Sequence, residues 1–338
     1  MALIAAERVD VLNIGLMLVS ACVAMIIPFE TFLFVYAVLG PLHYLTEISW
    51  LHDKQYFTKG KYDSVVLLGV AALLTLYNFN KYLELGFPKG FDAYLMWVGF
   101  LSAIIFIFVK NKFYKWAGIA LLVITSQLGN HFVIFFTLFL PTLIHVYLFT
   151  MLFMLYGAFK SKSRVGLLSV LVLLLCPVLL YTVYPDRVFY PVSEMGMKNY
   201  ETFKYLNILS LMNFFDHPLP EKEAGWYGII FHSKAGILLM RFIAFAYTYH
   251  YLNWFSKTSI IQWHKVPKWR FALVILVWIA SIALYRYDYV IGFQWLYFLS
   301  FLHVVLEFPL NMVSIWGIFG HLKGKMVKLK PAMARTRS

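Results

Sequence analysis

Four histidines of this chain, His43, His145, His250 and His303, sit inside long apolar runs rather than in the connections between them. A neutral imidazole presents one lone pair, so it can bind a first-row metal or pass a proton. Two of the four have a carboxylate four residues on, His43 with Glu47 and His303 with Glu307. That spacing puts each pair on one face of a helix. A glutamate so placed could ligate a metal directly, or hold a ligand imidazole in the required tautomer from behind. The bland alternative is a buried histidine that only bonds a serine or a backbone carbonyl between helices.

The elements that carry these residues follow from composition. The 338 residues are 62% apolar and 13% charged, with a mean hydropathy of +0.73. No water-soluble fold of this size hides so much apolar surface, so the solvent is lipid. The expected fold is an all-α polytopic membrane protein. A bilayer core takes about 20 apolar residues of helix. Runs of that kind occupy 11–27, 31–51, 63–83, 92–109, 114–129, 131–159, 164–184, 234–255, 269–286 and 290–319, a bundle of about ten spans. The first is read as a true span, because the apolar run continues past Cys22 and no basic leader precedes it. Residues 1–320 then form one membrane domain with a non-cytoplasmic segment at 185–233, and 321–338 form a basic cytoplasmic tail.

Basic residues test the count. With ten spans, one side of the membrane collects 20 lysines and arginines and the other 7. The positive-inside rule then puts both termini in the cytoplasm. The expected location is a bacterial inner (plasma) membrane crossed many times. The net charge of +13 is thus topological and does not point to nucleic acid. Cys22 and Cys176 lie in apolar runs and suit no metal site. In 185–233, the stretch 199–215 reads as an interfacial helix, either a lid over the bundle or a plain connection. Lys234 is expected to reach the interface, and the deeper Arg241 to meet a carboxylate.

The spans also place the histidines. The four sit in spans two, six, eight and ten, which run in one direction, and lie 12, 14, 16 and 13 residues from the outer ends. That is roughly 18–24 Å down, one shared layer. His52, His264 and His321 fall on the cytoplasmic side, His217 and His232 on the other, and His131 at a turn.

Several local sequences resemble an integral-membrane family. Gly-Pro-Leu-His43-Tyr-Leu-Thr-Glu47 is similar to the Gly-Leu-Pro-His segment, closely followed by an acid, of the Brp/Blh β-carotene 15,15'-dioxygenases. Leu-Ile-His145-Val-Tyr resembles that family's second His-bearing helix, and Tyr-Thr-Tyr-His250-Tyr-Leu-Asn-Trp254 its third. Leu-His303-Val-Val-Leu-Glu307-Phe-Pro resembles its late Pro-His helix. Three departures stand out: Tyr44 replaces the glycine after the first histidine, Trp254 the second histidine of the third motif, and 185–233 lengthens the chain. The resemblance implies a non-haem Fe(II) held by His43, His145, His250 and His303, with Glu47 and Glu307 orienting the ligands. It implies a lipid-soluble carotenoid substrate, cleaved with O₂ to retinal, and contact with membrane lipids but no nucleic acid.

Two rival readings remain open at this point. Acyl-chain hydroxylases and desaturases use dense histidine boxes, and this chain has none. A transporter, or a membrane subunit of a larger assembly, would use the same His and Glu residues as a proton relay.

Overall fold

The computed structural model describes residues 2–54, 63–88, 90–124, 134–220 and 223–324. Among them every regular element is helical, as lipid requires when no water is present to satisfy an open backbone. The long helices are α1 (Ala2–Ile26), α2 (Pro28–Lys54), α3 (Asp63–Asn78), α4 (Phe91–Phe108) and α5 (Lys112–Ile124). Next comes α6, a π-helical stretch (Phe135–Phe149) that continues as α-helix (Thr150–Ser161), and then α7 (Arg164–Thr182). Two short helices, α8 (Glu194–Tyr200) and α9 (Ile208–Phe214), precede α10 (Lys234–Ser256), α11 (Lys268–Tyr287) and α12 (Tyr289–Leu322).

Helix occupies each of the ten apolar segments, and the chain is a helical membrane protein. Among the described residues seven helices are long and apolar enough to cross a bilayer, and an eighth span arises if Gly225–His232 is joined to α10 across a 60° bend. The remaining two segments hold shorter helices, α3 with 16 residues and α5 with 13. Residues 125–133, which include the expected turn at His131, and the tail 325–338 lie outside the described residues.

Two apolar clusters fill the bundle. One is built from α1, α2, α7 and α10 with the segment after α7; the other is built on α3, α4 and the middle of α12. Helices α2, α6 and α12 contribute to both clusters, so their shared faces form the seam between them. Each of these three carries an internal proline close to a predicted site residue: Pro41 beside His43, Pro141 before His145, and Pro309 after Glu307. Proline removes a helical hydrogen bond and bends the axis, and π-turns gather where function needs an irregular helix.

The described residues of segment 185–233 pack against one end of the bundle. The expected single helix over 199–215 is broken into a 3-10 turn (Glu201–Leu206) and α9. The cause is Asn207, extended at φ −125°, whose side-chain oxygen accepts from the Ile208 amide at 2.6 Å. This is an N-cap in the middle of the stretch, and it starts a new helix there. Phe203 packs edge-on against Phe32 and Tyr36, with ring centroids 4.9 Å away in both cases. Glu30 at the start of α2 accepts hydrogen bonds from the Ser193 amide at 2.8 Å and its hydroxyl at 3.0 Å. Lys234 pairs with Asp186 at the surface, 2.7 Å apart. Arg241 meets no carboxylate among the described residues. It is buried and donates to the carbonyls of Tyr184 (3.0 Å) and Arg187 (2.5 Å), the chain just past the end of α7. A guanidinium has five N–H donors and no acceptor, so a buried one takes whatever carbonyls the loop after the helix presents.

Candidate metal centre

The four histidines of spans two, six, eight and ten meet at the seam. All are buried, and neighbouring ring centroids lie 4.7 Å (His43–His250), 5.0 Å (His145–His250), 5.1 Å (His145–His303) and 5.4 Å (His43–His303) apart. His43, His250 and His303 offer ligand atoms that all lie within 4.8 Å of one another, a trio able to hold a metal ion. His145 joins this trio through its Nε2, 3.2 Å from that of His303. On the other side, the Nε2 atoms of His43 and His250 are 3.0 Å apart.

The far edges of the rings decide where the protons are. The Thr150 hydroxyl donates to the Val146 carbonyl at 2.8 Å, which leaves its oxygen to accept from His250 Nδ1, also at 2.8 Å. His303 Nδ1 donates to the Leu299 carbonyl at 3.3 Å. Glu307 Oε2 lies 3.0 Å from His145 Nδ1, and neither atom has an aligned hydrogen-bond partner. A carbonyl, a hydroxyl and a carboxylate therefore all favour the Nδ1–H tautomer, with the Nε2 lone pair facing inward. Two such lone pairs 3.2 Å apart repel unless a cation lies between them. The spacing suits one. Two imidazoles each about 2.05 Å from a single ion lie roughly 2.9 Å apart at a right angle and roughly 3.3 Å apart at a tetrahedral one. The observed 3.0 and 3.2 Å fall in that interval.

The two glutamates differ from what helical spacing suggests. Glu307 turns to His145 on α6 instead of His303 on its own helix. Glu47 does contact its own-helix partner, but at the inward nitrogen: Oε2 is 3.1 Å from His43 Nε2. His43 Nδ1 has no hydrogen-bond partner, and neither has Glu47 Oε2.

Two aromatic residues complete the wall. Tyr44 stacks on His303 at 4.2 Å and 23°, with its hydroxyl 2.8 Å from that of Tyr251. A Cβ on Gly40, one turn earlier, would sit 3.2 Å from both hydroxyls, so only glycine leaves this pair undisturbed. Trp254 stands edge-on to His43 at 5.5 Å and donates from Nε1 to the Thr46 hydroxyl at 3.0 Å. The indole seals this side and offers no lone pair. Thr150 and Tyr44 carry no signal in the sequence alone, since a threonine or tyrosine in an apolar run reads as packing.

One helical turn from the histidines, on the side of segment 185–233, lies a cavity of about 200 Å³ that none of the four lines. Its walls include Thr142, Tyr247 and Ser300, each three residues before a site histidine, and Tyr36, seven before His43. Thr202, Phe203, Tyr205 and Leu206 of segment 185–233 also form part of its wall. His52, His217, His232 and His321 stand apart from this centre, exposed. Comparison of the chain with protein-family models, with curated proteins and with solved structures finds no match.

Proposed function

We propose that the chain is a membrane-embedded non-haem iron oxygenase acting on a lipid-soluble substrate, with His43, His145, His250 and His303 as ligands. The observation that carries this reading is the meeting of four buried imidazoles: His43, His250 and His303 offer ligand atoms within 4.8 Å of one another, and His145 Nε2 lies 3.2 Å from that of His303. Imidazole suits iron, copper, nickel and zinc alike. The choice of iron among them rests on the resemblance to the Brp/Blh proteins. Bound iron would supply the activation of O₂ that singlet organic substrates lack.

The chain's own residues do the rest. Segment 185–233 and the ring of aromatic side chains exclude water from the site. The cavity gives an apolar substrate a place beside the histidines without leaving the bilayer. The resemblance to Brp/Blh proteins narrows the reaction to cleavage of a carotenoid, with β-carotene giving retinal. There the central double bond breaks and each carbon takes one oxygen atom of O₂. We propose also that all ten helical segments cross the membrane with both termini in the cytoplasm of a bacterial inner (plasma) membrane, as the 20-to-7 division of basic residues supports.

Metal analysis of detergent-purified protein tests the reading. About one iron per chain is expected in wild type, and none in His145→Ala or His303→Ala. Protein that carries iron should then convert β-carotene to retinal. Wild type that holds no stoichiometric metal after anaerobic exposure to Fe(II) would overturn the oxygenase and leave a proton-relay transporter as the account of these residues.

A further inference from the structure

The cavity above the histidines is not lined as a hydrocarbon slot would be. Hydroxyl-bearing residues stand at three levels of its wall. Thr142, Tyr247 and Ser300 lie one turn outward of the site histidines, Tyr36 and Tyr297 two turns outward, and Thr202 and Tyr205 in segment 185–233. The remaining wall is apolar, with Leu138, Phe293 and Val304 among it. In a low-dielectric bundle each hydroxyl needs a partner, and leaving one without costs more than burying a methyl group. Some partners are internal: Tyr36 is linked to both Ser300 and Tyr44, and Tyr44 to Tyr251. A hydroxyl still has more hydrogen-bonding capacity than one link uses, with one donor and two acceptor sites each. Tyr297 has a weak partner, Met96 Sδ at 3.8 Å.

Size points the same way. Pockets for drug-sized ligands run roughly 300–1,000 Å³. The 200 Å³ here encloses only part of a long polyene.

We infer that this cavity binds the oxygen-bearing portion of the substrate, a hydroxyl or keto group on an otherwise apolar isoprenoid chain. The inference rests on the oxygenase reading and names its substrate class: an oxygenated isoprenoid in preference to the bare hydrocarbon. The oxygen function sits between the Ser300 level and segment 185–233, and the apolar chain runs from it past the histidines. A site built to hydrogen-bond a substrate oxygen rejects the analogue that lacks it, because its own polar groups are then left unpaired.

A matched pair of C40 polyenes tests this. β-Carotene and its dihydroxy analogue zeaxanthin share one skeleton and differ only in two hydroxyl groups. Binding of each to the iron-loaded full-length protein in nanodiscs is measured by the absorption shift of the polyene, with iron content determined in the same samples. Zeaxanthin should bind at least about tenfold more tightly, and the preference should shrink to about twofold in Tyr36→Phe/Ser300→Ala. Equal binding of the two by wild type overturns the inference, as does a preference that survives in an iron-replete double variant. If the double variant loses iron, Tyr297→Phe replaces it, with the same expectation. Iron-loaded protein that binds neither polyene also overturns the inference and leaves the iron site standing. Absence of iron from wild type is the separate result that removes the oxygenase reading itself.

Discussion

The two histidine–glutamate pairs look alike on paper and are used differently in space. Glu47 and Glu307 each follow a histidine by four residues. Yet Glu47 stands at the inward nitrogen of His43, where an ion would sit, while Glu307 stands at the outward nitrogen of His145 on another helix. The first is placed to share an ion with His43. The second is placed to hold a ring in its tautomer. The same spacing thus puts one carboxylate at an inward nitrogen and the other at an outward one. The crossing of α6 against α12, rather than the period of either helix, decides which.

That contrast can be broken by substitution. The largest effect belongs to His250→Ala. His250 touches both halves, its Nε2 3.0 Å from that of His43 and its ring 5.0 Å from that of His145, so stoichiometric iron should disappear. Metal analysis that finds iron retained in this variant would remove His250 from the ligand set. Glu47→Gln comes next. It takes charge from the inward position and should weaken metal affinity by more than about 100-fold in a chelator competition. Glu307→Gln keeps the ring contact and loses only charge behind it, so a fall of about 10- to 100-fold is expected in the same assay. Equal losses for the two glutamine variants would erase the distinction drawn here. Thr150→Val is the mildest, about tenfold, since a neutral hydroxyl behind His250 polarises the ring less than a carboxylate does. A Thr150→Ser variant should restore wild-type affinity, and its failure to do so would give Thr150 a packing role instead.

Much of this could be read from residues alone, because lipid is a strict solvent. Each of the ten apolar segments holds helix among its described residues, and the common depth of His43, His145, His250 and His303 comes simply from counting along the apolar runs. Rotation about a helix axis is another matter. Glu307 shares a face with His303 by its spacing, but the packing of α6 brings His145 Nδ1 to it first. Thr150 follows His145 by five residues, a distance with no meaning in an α-helix. It acts where the π-helical stretch ends and α-helix resumes. Arg241 is expected to find a carboxylate because charge seeks charge, whereas it finds the carbonyls past the end of α7, which no pattern of side chains records. Within 199–215, apolar periodicity predicts one helix, and a single side chain, Asn207, restarts it.

The four histidines come from helices far apart along the chain, and the last is residue 303 of 338. Synthesis and insertion proceed from the N-terminus. His43 and His145 therefore enter the membrane early and wait with their lone pairs uncommitted until α10 and α12 arrive. An ion bound there would tie together helices that lie up to about a hundred residues apart in the chain, where a cross-link restricts the unfolded chain most. Loading would then be a checkpoint on completed assembly: a chain truncated before α12 lacks His303 and could not be sealed by metal, however well its first helices had inserted.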